Sequence, residues 1–224
     1  APSEMCIRDR DGSGTWTLTG TGNFTQGFTI ADGVLSVSSD ASLGAAAAGL
    51  TLDGGTLQVT GTSFTSTTRS LNLGEHGGGL DIADAGNTFT VSQALSGNGY
   101  LRKQGDGTLV LSGNNSFTGG LTIEKGTVQA GTADHAFGSG LLTVNEGAKV
   151  DLANFNTTTG GLAGAGDVAM GSGNLNLDQS FDTLFSGVVD GSGALTKTGS
   201  GTLTLAGVNS YTGQTLSLIH ISER

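Results

Sequence analysis

The sequence has little of several features that would assign it to a common class. It contains one proline and one cysteine, and only 12% of its 224 residues are charged. Cys6 alone gives no disulfide framework. No apolar run reaches the ~18 residues of a membrane-spanning helix, and the N-terminus lacks the apolar segment of a signal peptide. The 41 glycines follow no Gly-X-Y period, which excludes collagen. These absences leave β-structure with many tight turns.

The chain is acidic, with a formal net charge of −10 from 19 acidic and 9 basic residues. The basic residues form no stripe, so the sequence argues against nucleic acid and anionic membrane surfaces as partners. We interpret the acidity as a source of solubility and many of the aspartates as turn residues.

One stretch of sequence occurs three times. Residues 97–121 and 191–215 align without a gap at an offset of 94, with 14 of 25 positions identical; a weaker copy begins at Gly12 and aligns with Gly105 onward at an offset of 93. Internal repetition of this kind predicts the stacked coils of a solenoid. The positions expected to build the coil are Gly105, Gly107, Leu109, Leu111, Gly113, Asn115 and Phe117 in the second copy, and Gly199, Gly201, Leu203, Leu205, Gly207, Asn209 and Tyr211 in the third.

Apolar and polar residues alternate within the repeats, which predicts strands with one buried and one exposed face. The phase shifts at Asp32-Gly33 and Lys125-Gly126, where we expect glycine to turn corners. The alanine-rich segment 44–49 is too short to nucleate a helix and is expected to form a coil wall of small side chains. The predicted fold class is therefore all-β, a β-solenoid of about 8–10 coils, each of about 20–30 residues. The inward residues of the second copy should be Leu101, Leu109, Leu111, Phe117, Leu121 and Ile123.

The two ends differ from the rest in composition. Residues 1–10 and 216–224 contain no glycine, hold the only cysteine and continue no coil pattern. Both resemble peptides translated from sequencing-adapter read-through, so we expect a non-native leader at 1–10 and a non-native tail at 216–224. The solenoid fragment then spans 11–215, with strong repeats at 12–37, 97–130 and 191–215. Genuine linkers are the alternative.

Two pairs of repeat residues could have a special role. Lys103 and Lys197 share the parity of the buried leucines, so a buried reactive lysine is one interpretation. We favour a turn lysine whose stem covers the edge of the core while its ammonium reaches water. Asn115 and Asn209 are expected at αL turn positions or with side chains bonded to the backbone.

Sites with chemistry are not indicated. Asp106, Asp167 and Asp190 lie beside glycines but lack the spacing of a calcium loop. His76 and His135 are separated from each other and from cysteine, which gives no zinc motif. No nucleophile elbow accompanies the serines. We therefore predict no catalytic residue, no cofactor and no metal.

The string G-x-G-x-L-x-K-x-G-x-G-T-L-x-L-x-G-x-N-S-F/Y-T-G closely resembles the autotransporter-associated β-strand repeat of bacterial type V secretion passengers. The resemblance is strong at 97–126 and 191–215, recognisable at 12–37 and diffuse elsewhere, and the first copy lacks the Leu-x-Lys step. It implies a right-handed parallel β-helix that crosses the periplasm and is displayed at the cell surface or released. It also implies an outer-membrane translocation barrel in the same parent chain, and repeats that aid translocation and folding.

Three functions remain open. The favoured one is a non-catalytic stalk or adhesin segment, whose long faces suit weak multivalent contact with host-surface ligands or with other copies of itself. The alternative is a β-helix polysaccharide-degrading enzyme, a lyase or glycosidase, which would need clustered carboxylates and long loops that the sequence does not show. The third is a secretion-assisting module with no ligand of its own.

Overall fold

A computed structural model describes residues 9–10, 12–22 and 24–218 of the chain. These residues form 26 short strands and one 3₁₀ helix, Asp40–Leu43. No helix in this part of the chain is long and apolar enough to cross a membrane. The strands are β1 (Asp9–Arg10), β2 (Thr15–Leu18), β3 (Phe28–Ile30), β4 (Val34–Val37), β5 (Leu50–Leu52), β6 (Thr56–Val59), β7 (Ser66–Thr67), β8 (Leu71–Leu73), β9 (Gly78–Ile82), β10 (Thr88–Val91), β11 (Leu95–Gly97), β12 (Leu101–Gln104), β13 (Thr108–Leu111), β14 (Leu121–Ile123), β15 (Thr127–Ala130), β16 (Leu141–Val144), β17 (Lys149–Asp151), β18 (Thr157–Thr159), β19 (Gly161–Gly164), β20 (Asp167–Ala169), β21 (Leu175–Asp178), β22 (Thr183–Phe185), β23 (Val188–Asp190), β24 (Leu195–Thr198), β25 (Leu203–Leu205) and β26 (Thr215–Ser217).

The strands stack in parallel into a three-sided solenoid. One side is a ten-stranded sheet, β2-β4-β6-β9-β12-β14-β16-β19-β22-β25, whose successive strands begin 19 to 23 residues apart, one per coil. The second side is a seven-stranded sheet that runs from β7 to β23. The third side is divided between a five-stranded sheet, β1-β3-β5-β8-β11, and a four-stranded sheet, β18-β21-β24-β26. The predicted all-β solenoid is confirmed, with about ten coils.

Loop backbone continues the third side between its two sheets. The Ser116 N–H donates to the Leu95 carbonyl at 2.9 Å, and the Asn115 N–H donates to the His135 carbonyl at 3.1 Å. Asp134 then forms an isolated parallel bridge with Thr157 of β18. The stack is therefore continuous along this side, although two of its coils have no strand there.

The core is a single column of inward side chains. All six inward residues predicted for the second repeat copy have at most 1% of their surface exposed, so the alternation assigned their faces correctly. Burial of a leucine, isoleucine or phenylalanine contributes about 1.5–3 kcal/mol, which makes this column the main source of stability. The inward residues are Leu101, Leu109, Leu111, Phe117, Leu121 and Ile123.

Glycine turns the corners at the predicted phase shifts. Gly33 and Gly126 have φ of 66° and 65°, a left-handed conformation that residues with a Cβ rarely adopt. Val128 and Ala130 follow Gly126 and are buried, as the shift of phase requires. These two corners are confirmed.

The repeat copies do not all lie on the same side of the solenoid. In the second copy β12 belongs to the ten-stranded sheet and β13 to the seven-stranded sheet, whereas in the third copy β24 belongs to the four-stranded sheet and β25 to the ten-stranded sheet. With coils of about 20 residues, an offset of 94 residues corresponds to about four and two-thirds coils. The third copy is therefore rotated by one side of the solenoid relative to the second. The first copy lies on the same sides as the third, because β2 and β25, which carry the equivalent residues, both belong to the ten-stranded sheet.

Two expectations about local structure are wrong. Segment 44–49 forms no coil wall, because it is an irregular turn with Ala45, Ala46 and Ala47 exposed. It follows the 3₁₀ helix Asp40–Leu43, which begins behind an N-cap in which Ser39 Oγ accepts a hydrogen bond from the Ala41 N–H. The ends also continue the coil pairing: β1 pairs with β3, and β26 pairs with β24. Residues 1–8 and 219–224 lie outside the described part, so the non-native origin of the ends stays a prediction.

Candidate functional site

Lys103 is the most unusual residue of the repeat, since it lies inside the solenoid with none of its surface exposed. Its Nζ donates to the carbonyl oxygens of Gln104 and Gly105, both at 2.8 Å, and of Lys125 at 3.2 Å. The first two carbonyls form the corner after β12, and the third belongs to the next coil. The expectation that this ammonium reaches water is therefore wrong, because the corner carbonyls replace water as its hydrogen-bond acceptors.

The electrostatics of Lys103 follow from this enclosure. Burial lowers the pKa of its ammonium to about 8, and the negative charges of Asp81 and Asp106 oppose that change. The three bonded carbonyls fix the direction of the amine toward the backbone. The geometry therefore suits a clamp between two coils.

Lys197 and Gln179 occupy comparable corners. Lys197 is half-buried in the last coils, and its Nζ donates to the carbonyls of Gly199 at 3.0 Å and Thr198 at 3.4 Å. Gln179 is fully buried, and its Nε2 donates to the Phe181 carbonyl at 2.7 Å and, in the next coil, to the Thr202 carbonyl at 2.9 Å. An amide can thus take the place of the ammonium, and this role of Gln179 has no sequence signal, since Gln179 lies outside the repeat motif.

Asn115 connects three successive coils through the core. Its Oδ1 accepts a hydrogen bond from the Leu95 N–H at 2.7 Å, and its Nδ2 donates to the Ala136 carbonyl at 2.5 Å. Asn209 repeats the first contact with the Val189 N–H at 2.9 Å. Neither asparagine has a positive φ, so of the two expected roles the side-chain bond to backbone is the one present.

The remaining repeat positions are packing positions. In the second copy, Leu109, Leu111 and Phe117 have no exposed surface. Their counterparts in the last described coil, Leu203, Leu205 and Tyr211, are half-buried. The glycines share one property, which is that an added Cβ would lie less than 3.0 Å from an atom of the preceding coil: Gly105, Gly107, Gly113, Gly199, Gly201 and Gly207. Glycine is required there because the coils approach too closely for any side chain.

Arg69 is a buried cation that the sequence reasoning missed. It is 1% exposed, and its Nε and Nη2 donate to the two carboxylate oxygens of Asp40 at 2.8 and 3.0 Å. Nη1 donates to the carbonyls of Ala45 and Ala48, and Nη2 also donates to those of Asp40 and Gly44. Arg69 therefore holds the irregular segment 40–48 against the next coil. The sequence gives little indication of this role, since it shows only an isolated arginine between the segments that form β7 and β8.

The aspartates and histidines that the sequence analysis considered and rejected as metal ligands do not form a site in the described part of the chain. Asp106 lies three coils from Asp167, and no three metal-ligating side chains converge among the residues that the structure describes. His76 donates from its backbone N–H to Asp53 at 2.9 Å and its Nδ1 lies 3.0 Å from the same carboxylate, which lowers the pKa of Asp53. This exposed pair ties two neighbouring corners.

The outward surfaces differ in charge. Along the corner between the ten- and seven-stranded sheets, Asp81, Asp106 and Glu124 line a groove of about 460 Å³ with Gln104 and Lys125. On the third side, by contrast, seven of the eight strands longer than two residues have an uncharged hydroxyl or amide side chain as their central outward residue, and the eighth, β26, has Leu216 there. The seven are Thr29, Thr51, Asn72, Ser96, Thr158, Asn176 and Thr196.

Comparison with known proteins adds two matches. The model of the passenger-associated transport repeat matches the chain three times, at 10–37, 101–130 and 195–216. The chain is also similar to the adhesin BmaC autotransporter of Brucella suis biovar 1 (strain 1330), with 42% identity over 175 residues. That alignment covers 74% of this chain and 5% of the relative, so the chain spans about a twentieth of the length of the curated relative it matches. No solved structure matches the chain.

Proposed function

Because this chain carries three passenger-associated transport repeats and resembles part of an autotransporter adhesin, we propose that it is a passenger segment that serves as a non-catalytic stalk and adhesive scaffold at the bacterial surface. The observation that carries the proposal is that the residues shared by the repeats make contacts between neighbouring coils. Lys103, Asn115 and the repeat glycines all act between coils, where they make the stack rigid and leave the outward faces available for contact.

The third side, whose central outward residues are mostly uncharged, is the surface we assign to adhesion. Its hydroxyl and amide side chains form two outward rows, one in the five-stranded sheet that includes Thr51 and one in the four-stranded sheet that includes Thr158. Such groups can bond to the polar surface of a partner without the repulsion that a net charge of −10 imposes elsewhere. Each contact is weak, and avidity comes from repetition along the stack.

Binding of chain-coated beads to cultured host cells tests adhesion. We expect wild-type beads to bind and the double variant Thr51→Lys/Thr158→Lys to lose most of that binding. The matched control is Thr108→Lys/Thr127→Lys, which adds the same charge to the seven-stranded sheet and should keep binding. Equal loss in both variants would show that charge alone matters, and absence of binding by wild-type beads would refute the adhesive role.

We infer in addition that the strong repeat aids translocation and folding of the parent passenger. Deleting 101–120 removes one whole coil of the repeat and rejoins the ten-stranded sheet strand to strand, and deleting 141–160 removes a non-repeat coil of the same length. We expect surface display of the parent protein to fall with the first deletion and to persist with the second. Equal display of the two deletions would contradict the translocation role.

The non-catalytic part of the proposal has its own test. We expect incubation of the purified chain with host and bacterial polysaccharides to release no reducing ends and no unsaturated products. Sustained turnover that a single carboxylate substitution abolishes would instead establish a β-helix lyase or glycosidase.

A further inference from the structure

Three large outward side chains follow one another along β12, in the middle of the ten-stranded sheet. Tyr100, Arg102 and Gln104 alternate with the buried residues Leu101 and Lys103, so the three share the outward face. From Tyr100 to Gln104 the strand rises by about 13 Å, which takes the line across one whole side of the solenoid.

Bare backbone borders Tyr100 on both sides. The Gly78 N–H donates to the Tyr100 carbonyl at 2.9 Å, and the Leu101 N–H donates to the Gly120 carbonyl at 2.9 Å, so glycines flank this position in both neighbouring coils. The ring lies over Gly77, where an added Cβ would be 2.8 Å from ring atoms. Because no side chain can project from these glycines beside it, the 37% exposed ring is accessible to a ligand.

Arg102 lies next to this ring with hydrogen-bond donors to offer. Its Cζ is 5.3 Å from the centre of the Tyr100 ring, and its Nε is 4.0 Å from Oε1 of Glu124. Nε has no hydrogen-bond partner among the residues that the structure describes, and the side chain is 36% exposed. A guanidinium carries five N–H donors in a planar fork. The ring and the carboxylate therefore orient an arginine whose donors remain for a ligand.

Gln104 continues the line into the groove at the corner with the seven-stranded sheet. Its Nε2 donates to Oε2 of Glu124 at 3.0 Å, and it pairs in register with Asp81 of β9. The same groove holds the carboxylate of Asp106 and the ammonium of Lys125. A hydroxyl group can donate to the carboxylates and accept from the amide or the ammonium. Acidic and basic groups lie side by side here, so a net charge of either sign on the ligand is disfavoured.

We propose that Tyr100, Arg102 and Gln104 form a binding site for an uncharged oligosaccharide. One sugar stacks its C–H face on the Tyr100 ring, whose π face is negative, and the hydroxyls of the following sugars bond to Arg102, Gln104 and the groove. A strip about 13 Å long accommodates two or three linked sugars. It is too narrow for a protein partner, whose interface buries about 800 Å² on each side. The proposal does not depend on adhesion through the third side.

The third repeat copy provides an internal comparison. At the positions equivalent to the three outward residues of β12 it has Ala194, Thr196 and Thr198, while the inward leucine and lysine are the same. A strand of this repeat therefore stacks without the large outward side chains. Replacing them by those of the third copy should leave the fold of β12 unchanged, since threonine suits an outward strand position.

Affinity electrophoresis in native gels tests the site with mannan, dextran, galactan and xyloglucan as uncharged probes and alginate as an anionic one. We expect at least one uncharged polysaccharide to retard the wild-type chain and alginate to leave it unretarded. The triple variant Tyr100→Ala/Arg102→Thr/Gln104→Thr should migrate as it does in a gel without polysaccharide. Tyr100→Ala and Arg102→Met should each raise the apparent dissociation constant by about tenfold, as expected for the loss of one stacked ring or one charged donor.

The matched control is Phe155→Ala, because Phe155 is 38% exposed and lies outside β12. It should bind as wild type does, and circular dichroism checks that every variant retains its β-structure. Thr51→Lys/Thr158→Lys should also keep polysaccharide binding, which separates this site from the third side. The proposal would be overturned by a wild type that no uncharged polysaccharide retards, by retardation with alginate alone, by single or triple variants that bind as wild type does, or by equal loss in Phe155→Ala.

Discussion

Replacement of Lys103 by methionine should lower the free energy of unfolding by about 2–5 kcal/mol at pH 7. The three carbonyls that the ammonium contacts lose a charged donor, and a hydrogen bond to a charged group contributes about 1.5–3 kcal/mol. The buried charge has an opposing cost: lowering the pKa from 10.5 to about 8 corresponds to about 3 kcal/mol, which methionine does not incur. Lys103→Gln should cost less, because Gln179 shows that an amide can donate to a corner and to the next coil.

The pH dependence of the same residue has a definite sign. The unfolded chain holds its Lys103 proton up to about pH 10.5, whereas the folded chain releases it near pH 8. Between these values the unfolded state binds more protons, so the stability of the wild type should rise with pH. Below pH 8 both states are protonated and this contribution to the slope disappears. The total gain is at most about 3 kcal/mol, and Lys103→Gln should abolish it.

Urea unfolding at pH 7, 8, 9 and 10, followed by circular dichroism, measures both effects. Lys149→Gln is the matched control, because it removes an exposed lysine from β17 and should keep the wild-type pH profile. Repeat arrays can unfold in parts, so the slope with urea must be equal among the variants before free energies are compared. A Lys103→Met chain as stable as wild type, or a wild-type profile that Lys103→Gln leaves unchanged, would refute the clamp.

Two further substitutions test the other buried polar contacts. Arg69→Met should cost about 3–5 kcal/mol, because Asp40 loses its bidentate partner, and should speed amide hydrogen exchange over 40–48. The half-exposed Arg102→Met should do neither, and unchanged exchange in the Arg69 variant would contradict the assignment. Asn115→Ala should cost about 2–4 kcal/mol in thermal or urea unfolding, since a buried N–H and a buried carbonyl both lose their partner. Asn209→Ala should cost less because Asn209 is half-buried, and equal losses would count against a bridge across three coils.

The sequence predicted those parts of the fold that depend on local pattern. Alternation placed Leu109 and Phe117 inside, and the glycine after Lys125 turned the corner, because a two-residue period and a positive φ are both properties of a few adjacent residues. The 3₁₀ helix at Asp40–Leu43 was not predictable in this way. Its partner Arg69 lies 29 residues further along, and the contact forms only when the next coil has stacked.

The prediction that the Lys103 ammonium reaches water is wrong for a related physical reason. Lysine in a turn usually extends its ammonium to water, and we gave this general tendency more weight than the parity of the residue. The carbonyls that enclose it come from its own corner and from Lys125 of the next coil. Whether a buried cation is satisfied depends on the coil-to-coil register, which a single sequence does not reveal. The alternation of inward and outward residues correctly placed Lys103 on the buried face, and this placement contradicted our interpretation of Lys103 as a turn lysine with a solvated ammonium.

The rotation of the repeat by one side explains why it is a unit of stacking rather than a binding motif. A repeat whose outward residues formed a site would need to return to one side of the solenoid to present that site in a line. Here Arg102 of the second copy faces outward from the ten-stranded sheet, while Thr196 at the equivalent position of the third copy faces outward from the four-stranded sheet. What the second and third copies share points inward: lysine, leucine and asparagine, with glycine where coils approach closely. The second and third copies use those residues on different sides, although Lys197 bonds only to its own corner and Asn209 repeats only the first contact of Asn115. The outward residues can therefore differ among copies without disturbing the stack, which is the property that a scaffold for surface contacts requires.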